Sequence, residues 1–327
     1  MNTTILSISS AVISFAVTFV LLRILIPKLK SIKMGQKILD IGPRWHKSKE
    51  GTPTMGGLAF IGGVFAALFT VGIYLVVKTN AEIFIHALFM LGCGITGFID
   101  DYVKFVQKQN KGLNPNQKML FQFACTAAYL VALAIRGSVD TQVWIPFTSI
   151  FFDFGVLYWV FMFFGIVFTV NSVNLTDGID GLAASITTVV GICFGVVAFL
   201  YNDSVLSVLC GSVVGGCIGF LIYNWHPARV FMGDTGSLFL GGFVCVCAFR
   251  LEMPLILLFM GFMYFVESFS VVIQVLSYKF TKKRIFKMTP IHHHFEMSGW
   301  NEVKIVCVFS LISLFFCILG ILGVMII

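Results

Sequence analysis

Long apolar runs separated by short polar connections dominate the chain, and ten of them approach the roughly 20 residues that a bilayer crossing needs. They fall near 5–27, 55–77, 83–99, 119–135, 155–172, 182–201, 205–223, 236–251, 254–276 and 305–327. Backbone polar groups in lipid find no water to bond, so each run predicts a helix that satisfies them internally. The expected fold is all-α, a polytopic membrane protein of about ten transmembrane helices. No repeat or soluble segment interrupts it, so 1–327 is read as a single domain. The eighth run is short and rich in glycine, and its loss would change the topology.

Composition supports this reading, with 58% hydrophobic and only 11% charged residues. Residues 28–54, 100–118, 173–181, 224–235 and 277–304 hold 18 of the 22 lysines and arginines, while the opposite connections hold only Lys78, Arg136 and Arg250. The positive-inside rule then puts those five loops in the cytoplasm and both termini outside. The net charge of +7 is thus a topology signal. Basic residues flank spans and do not interleave with aromatics, so no nucleic-acid partner is expected. The first span lacks a basic leader and a clear cleavage site and is expected to be retained. All nine cysteines lie in apolar runs without metal-ligand spacing and read as core residues.

Chemistry concentrates in the loops. Asp100, Asp101, Asp177, Asp180 and Asp234 fall in three of them, and carboxylates gathered this way repel unless a cation offsets the repulsion. Magnesium with a phosphorylated substrate is the natural candidate. The first loop ends in basic residues His46, Lys47 and Lys49, then Gly51-Thr52-Pro53-Thr54 before glycine-rich span two. Its backbone donors and the helix end could face phosphate, or Thr52 or Thr54 could simply cap the helix. Asp100 and Asp101 stand where span three leaves the membrane; Lys104 shares a helical face with Asp100. Neighbours on a helix diverge by about 100°, so the two acids need not serve one ion.

The third loop, Asn171 to Leu182, is the densest polar stretch and carries no basic residue. Asn171 and Asn174 lie one turn apart, and Gly178 and Gly181 let backbone approach a ligand closely. In the fourth loop Asp234 sits between glycines at a helix start, suited to capping or to holding metal against phosphate oxygens; Phe231 could stack on a base or anchor at the interface. The fifth loop carries His292, His293 and His294. Consecutive imidazoles point apart and no cysteine joins them, which favours phosphate contact over zinc. Glu267, inside span nine, should face a polar partner or cavity, with snorkelling as the alternative.

Taken together, the Lys49–Gly57 stretch, Asp100-Asp101 with Lys104, Asn171–Gly181, Asn224–Ser237 and His292–Glu296 resemble phospho-N-acetylmuramoyl-pentapeptide transferase, a family within the polyprenyl-phosphate N-acetylhexosamine-1-phosphate transferases. The resemblance implies transfer of phospho-MurNAc-pentapeptide from UDP-MurNAc-pentapeptide to undecaprenyl phosphate at the cytoplasmic face of the bacterial plasma membrane, giving lipid I and UMP. It further implies Mg2+ on Asp234, with Asp100 and Asp101 nearby for metal or acceptor phosphate. Leu175, Asp177, Gly178, Asn224 and Phe231 would form the uridine pocket, Lys49, Thr54 and Asp180 the adjoining surface, and the three histidines would meet diphosphate or sugar. A homodimer stays open. So do direct attack and a covalent phospho-Asp route. A sibling using UDP-GlcNAc, and more distantly a transporter, are the competing readings.

Overall fold

The computed structural model describes residues 3–32, 49–78, 82–107, 109, 112–138 and 140–326. The basic stretch of the first loop before Lys49, with His46 and Lys47, lies outside the described residues. Helices α1 (Thr3–Ser31), α2 (Gly57–Ala67), α3 (Ile73–Lys78), α4 (Glu82–Val106), α5 (Pro115–Arg136), α6 (Val156–Thr176), α7 (Leu182–Leu200), α8 (Ser204–Asn224), α9 (Gly233–Arg250), α10 (Leu257–Met260), α11 (Phe262–Thr281), α12 (Ile291–Glu296) and α13 (Glu302–Val324) follow in order. A π-helical turn at Leu68–Gly72 joins α2 to α3. The architecture is all-α, as expected, apart from a small antiparallel hairpin, β1 (Gln142–Trp144) on β2 (Phe151–Asp153), which the apolar pattern did not announce.

Eight of the described spans are long and apolar enough to cross a bilayer, and a ninth is the bent pair of Pro254–Met260 with Phe262–Thr281. Span nine is therefore not the straight helix expected over 254–276. It breaks by 83° at Gly261, where an added Cβ would lie 2.7 Å from the carbonyl oxygen of Leu257. The short eighth run forms α9. Its 18 residues rise about 27 Å, but Gly233–Arg250 is not among the helices long and apolar enough to cross a bilayer, so eight or nine spans stand among the described residues where ten were expected. Every residue from Thr235 to Phe249 is buried, so α9 meets protein on all sides and does not need an apolar face for lipid.

Small residues allow this enclosure. Between helices in lipid, close van der Waals packing takes the place of the hydrophobic drive available in water. A Cβ on Gly97 of α4 would sit 2.0 Å from the carbonyl oxygen of Asp234, and one on Gly241 of α9 would sit 2.7 Å from Cα of Val170 in α6. Gly211, Gly215 and Gly219, spaced by four along α8, press in the same way on the backbone of Ser7, Ala11 and Phe15 in α1. At the far end of α9, the Arg250 guanidinium bonds Glu82 at 2.9 Å and Asp203 at 2.7 Å, tying together the starts of α4 and α8.

Two local expectations need correction. Asp100 and Asp101 are not in a loop, because α4 continues to Val106 and holds both in its last turns, buried. Nor does Thr52 or Thr54 cap α2: the N-cap is Gly56, with no side-chain cap bond. The amides of Gly56 and Gly57 instead donate to the carbonyls of Phe231 and Met232 at 2.8 and 3.0 Å, and the Phe231 amide donates to Pro53 at 2.8 Å. These donors are spent, so the helix start does not offer them to an anion.

Gly97→Ala should lower the melting temperature of the detergent-purified protein, since overpacking costs about 1–3 kcal/mol. Gly165→Ala, where a Cβ would meet nothing within 4 Å, should leave it unchanged or raised.

Candidate active site

The first turn of α9 has free amides at its N-terminus, and the carboxylate that takes them comes from α4. Asp101 accepts from the Asp234 amide at 3.2 Å, the Thr235 amide at 2.9 Å and the Thr235 hydroxyl at 2.7 Å. Gly233 turns into the helix with φ of 73°, and a Cβ there would stand 2.5 Å from Oδ2 of Asp101 and 3.0 Å from Oγ1 of Thr54. Only glycine fits this approach without strain.

Asp234 is thereby aimed away from its own helix end and does not cap it. Its Oδ1 accepts from Asn174 at 2.9 Å, and its Oδ2 takes the ammonium groups of Lys104 and Lys118 at 2.9 and 3.0 Å. Lys104 also reaches Asp100 at 2.5 Å, one turn back on the face predicted for it. Asp100 accepts in addition from the Leu113 amide at 2.8 Å. Oxygens of Asp100, Asp101 and Asp234 lie within 4.8 Å of one another. Three carboxylates against two ammonium groups leave an anionic excess, and an all-oxygen donor set of this kind fits a hard divalent cation.

The connection between α6 and α7 supplies the next wall. Asp177 lies there, and burial followed by the carboxylates of Asp234, Asp101 and Asp180 pushes its carboxyl well above the usual range. Cation entry would reverse that repulsion. Gly181 takes φ of 77°, and its amide donates to the Asn224 side chain at 3.0 Å, while the Asn224 amide donates to the Val230 carbonyl at 2.8 Å. Asn224 therefore fastens two loops together with both ends of its side chain. Asn171 is likewise occupied, pairing with Gln122 of α5 at 2.6 and 3.2 Å, apart from the aspartates. Leu175 and Gly178 are exposed and Phe231 is half-buried, on the segments that carry Asp177 and Asp234.

Lys49 crosses from the first loop to Asp180 at 2.7 Å and Glu302 at 2.6 Å. The second Asp180 oxygen accepts from the Ala228 amide at 3.0 Å and faces His226 Nδ1 at 2.9 Å. The three histidines do diverge. His292 Nδ1 meets Glu267 at 3.0 Å, His293 Nδ1 meets Glu296 at 2.6 Å, and His294 Nδ1 accepts from the Lys287 amide at 3.2 Å. Glu267 is thus paired inside the protein and does not snorkel. Nε2 of His292 is buried without a partner among the described residues, and a Cβ on Gly178 would lie 2.2 Å from it. Of the triplet, His292 accordingly sits against the α6–α7 connection.

Sequence reasoning missed Lys118, Gln122, His226 and Glu302. Lys118 and Glu302 lie at helix starts, where a basic residue flanking a span and an acid in a first turn both have ordinary structural explanations. Only folding brings them to the aspartates.

A fold of enclosed helices carrying carboxylates and ammonium groups at one end is that of a membrane glycosyl transferase: the family model described as Glycosyl transferase family 4 matches residues 83–252. The phospho-N-acetylmuramoyl-pentapeptide-transferase signature 1 matches residues 49–61. Full-length similarity is equally specific. A phospho-N-acetylmuramoyl-pentapeptide-transferase of Staphylococcus carnosus is 43% identical over 96% of this chain and 97% of its own. Those of Caldanaerobacter subterraneus and Clostridium perfringens are each 44% identical, over 94% and 96% of this chain and 95% and 97% of theirs. The chain belongs to the phospho-N-acetylmuramoyl-pentapeptide transferase family.

Asn224→Ala would strand the Gly181 amide and the Val230 carbonyl, each buried polar group left unpaired costing about 1–3 kcal/mol. A fall in melting temperature, read by thermal unfolding of the purified protein, is the expected result.

Proposed function

We propose that the protein transfers phospho-MurNAc-pentapeptide from its UDP carrier to undecaprenyl phosphate, releasing UMP and forming lipid I in the bacterial plasma membrane, with the site facing the cytoplasm. The observation that carries the reading is the meeting of Asp100, Asp101 and Asp234 with Lys104 and Lys118 at one end of the bundle. Family membership supports the sugar and the lipid; the excess of basic residues in the loops on that side supports the orientation. A soluble donor and a lipid-anchored acceptor have to meet at an interface, and these residues stand at helix ends.

In this reading Asp234, with Asp100 beside it, would hold Mg2+, which would supply positive charge to offset that of the donor diphosphate and the leaving UMP. Asp101 keeps its oxygens on the amides of α9 and so fixes where Asp234 points. Lys104 and Lys118 donate to phosphate oxygens as negative charge shifts during transfer. Asp177, Gly178, Leu175 and Phe231 line the uridine side, shaped by Asn224, with Lys49, Thr54 and Asp180 adjoining. His292 stands against Gly178 with His293 and His294 following it in α12, on the way to the diphosphate or sugar.

The acceptor phosphate is largely dianionic near neutrality, with a second pKa of about 6 by analogy with phosphoamino acids. Direct attack of its oxygen on the sugar-side phosphorus needs no strong base. Asp100, already bonded to Lys104, takes up any remaining proton or positions the lipid.

Asp234→Asn is expected to lower magnesium-dependent UMP release by about a hundred- to a thousandfold, as for loss of other key charge-stabilising groups, while the melting temperature holds; full turnover in this variant would remove it from the metal site. UDP-MurNAc-pentapeptide should be consumed and UDP-GlcNAc should not, and the reverse preference would favour the sibling activity. Incubation with labelled donor but no acceptor lipid should leave the protein unlabelled; a trapped phospho-sugar would establish the covalent route instead.

A further inference from the structure

Glu302, the first residue of α13, comes from the opposite end of the chain to Lys49, yet one of its oxygens serves two partners. Oε2 accepts from Lys49 Nζ at 2.6 Å and from the Asp180 amide at 2.9 Å, while Asp180 Oδ1 grips the same ammonium at 2.7 Å. Glu302 is buried and has no capping duty, since the Asn301 side chain accepts from the Lys304 amide at 2.8 Å. Asp180 is fixed in turn through Oδ2 by the Ala228 amide and His226. We infer that Glu302 is a positioning residue that holds Lys49 and the Asp177–Gly181 segment in register for the donor nucleotide, an inference that rests on the donor-site reading above.

The chemistry favours a clamp over a plain anchor. A lysine carries its charge on a flexible four-carbon stem with many rotamers, and one carboxylate partner would still allow it to swing. Two carboxylates whose residues are bonded to each other, Glu302 through the Asp180 amide, leave Nζ little freedom. Asp180, His226 and Glu302 also bring ligand atoms within 4.8 Å of one another, a spacing that suits a metal ion. The Lys49 ammonium already bonds both carboxylates, so it is the resident cation of this group. Ordering Lys49 before the nucleotide arrives removes an entropic cost that binding would otherwise bear, so the effect belongs in KM more than in kcat.

The test is a double-mutant cycle on the full-length protein in detergent, with KM for UDP-MurNAc-pentapeptide, kcat and melting temperature measured for wild type, Glu302→Gln, Lys49→Met and the pair. Glu302→Gln keeps an acceptor for the Asp180 amide and loses the charge. It should raise KM about tenfold with a smaller fall in kcat, and the pair should be no worse than Lys49→Met alone, because coupled residues act non-additively. Where Glu302→Gln does not yield folded protein, Glu302→Asp takes its place in the same cycle. Penalties that multiply, or an unchanged KM with only the melting temperature lowered, would overturn the positioning role. A parallel measurement of UMP binding to wild type by calorimetry separates the two levels. Wild type that neither binds UMP nor turns over the donor removes the donor-site reading and this inference with it, whereas a competent wild type with uncoupled Glu302 and Lys49 removes the inference alone.

Discussion

The carboxylate of Asp101, spent on the first amides of α9, is the contact on which the arrangement of the site depends. A helix start left without acceptors is costly when water is excluded, and a cap from within the chain's own turn would satisfy it without reference to any neighbour. Here the cap is borrowed from α4. The bond therefore satisfies α9, favours the positive end of its dipole and sets the offset between two helices at once. Hydrogen bonds to a charged group contribute about 1.5–3 kcal/mol each, and these also fix the direction in which Asp234 leaves α9. Gly97 and Gly233 are the steric conditions of the same contact, since side chains at either place would push the helices apart.

Around this joint the polar residues divide into those that hold loops and those left to face a ligand. Asn224, Asn171 and Asp101 have their polar atoms committed to protein partners, while Asp234, Lys104 and Lys118 are bonded chiefly to one another and so can exchange partners when charge enters. The distinction is invisible in residue type. It follows from which backbone groups the fold leaves unpaired nearby.

Most of the fold was legible because a lipid-spanning helix announces itself by length and apolarity alone. The ends and breaks were less so. Nothing in the apolar run over 254–276 distinguishes a straight helix from one bent at Gly261, because the break depends on backbone approach and not on hydropathy. Asp100 and Asp101 looked like loop residues for the converse reason: charge suggested water, whereas α4 continues past them and buries them against α9. The aspartate cluster was readable from the density of acids in a charge-poor chain. Glu302 and Lys118 were not, since each has an ordinary explanation where it stands and acquires another only through contacts more than fifty positions away.

The backbone bonds that link Pro53, Gly56 and Gly57 to Phe231 and Met232 lock two distant connections into a shared register. An inserted or deleted residue in either strip would slide both the Lys49 approach and the Asp234 turn out of alignment. Chain-length variation should therefore be barred there and accommodated elsewhere, as in the turn between β1 and β2 on the opposite rim, making the locked strips natural landmarks for aligning distant members of the family by length alone.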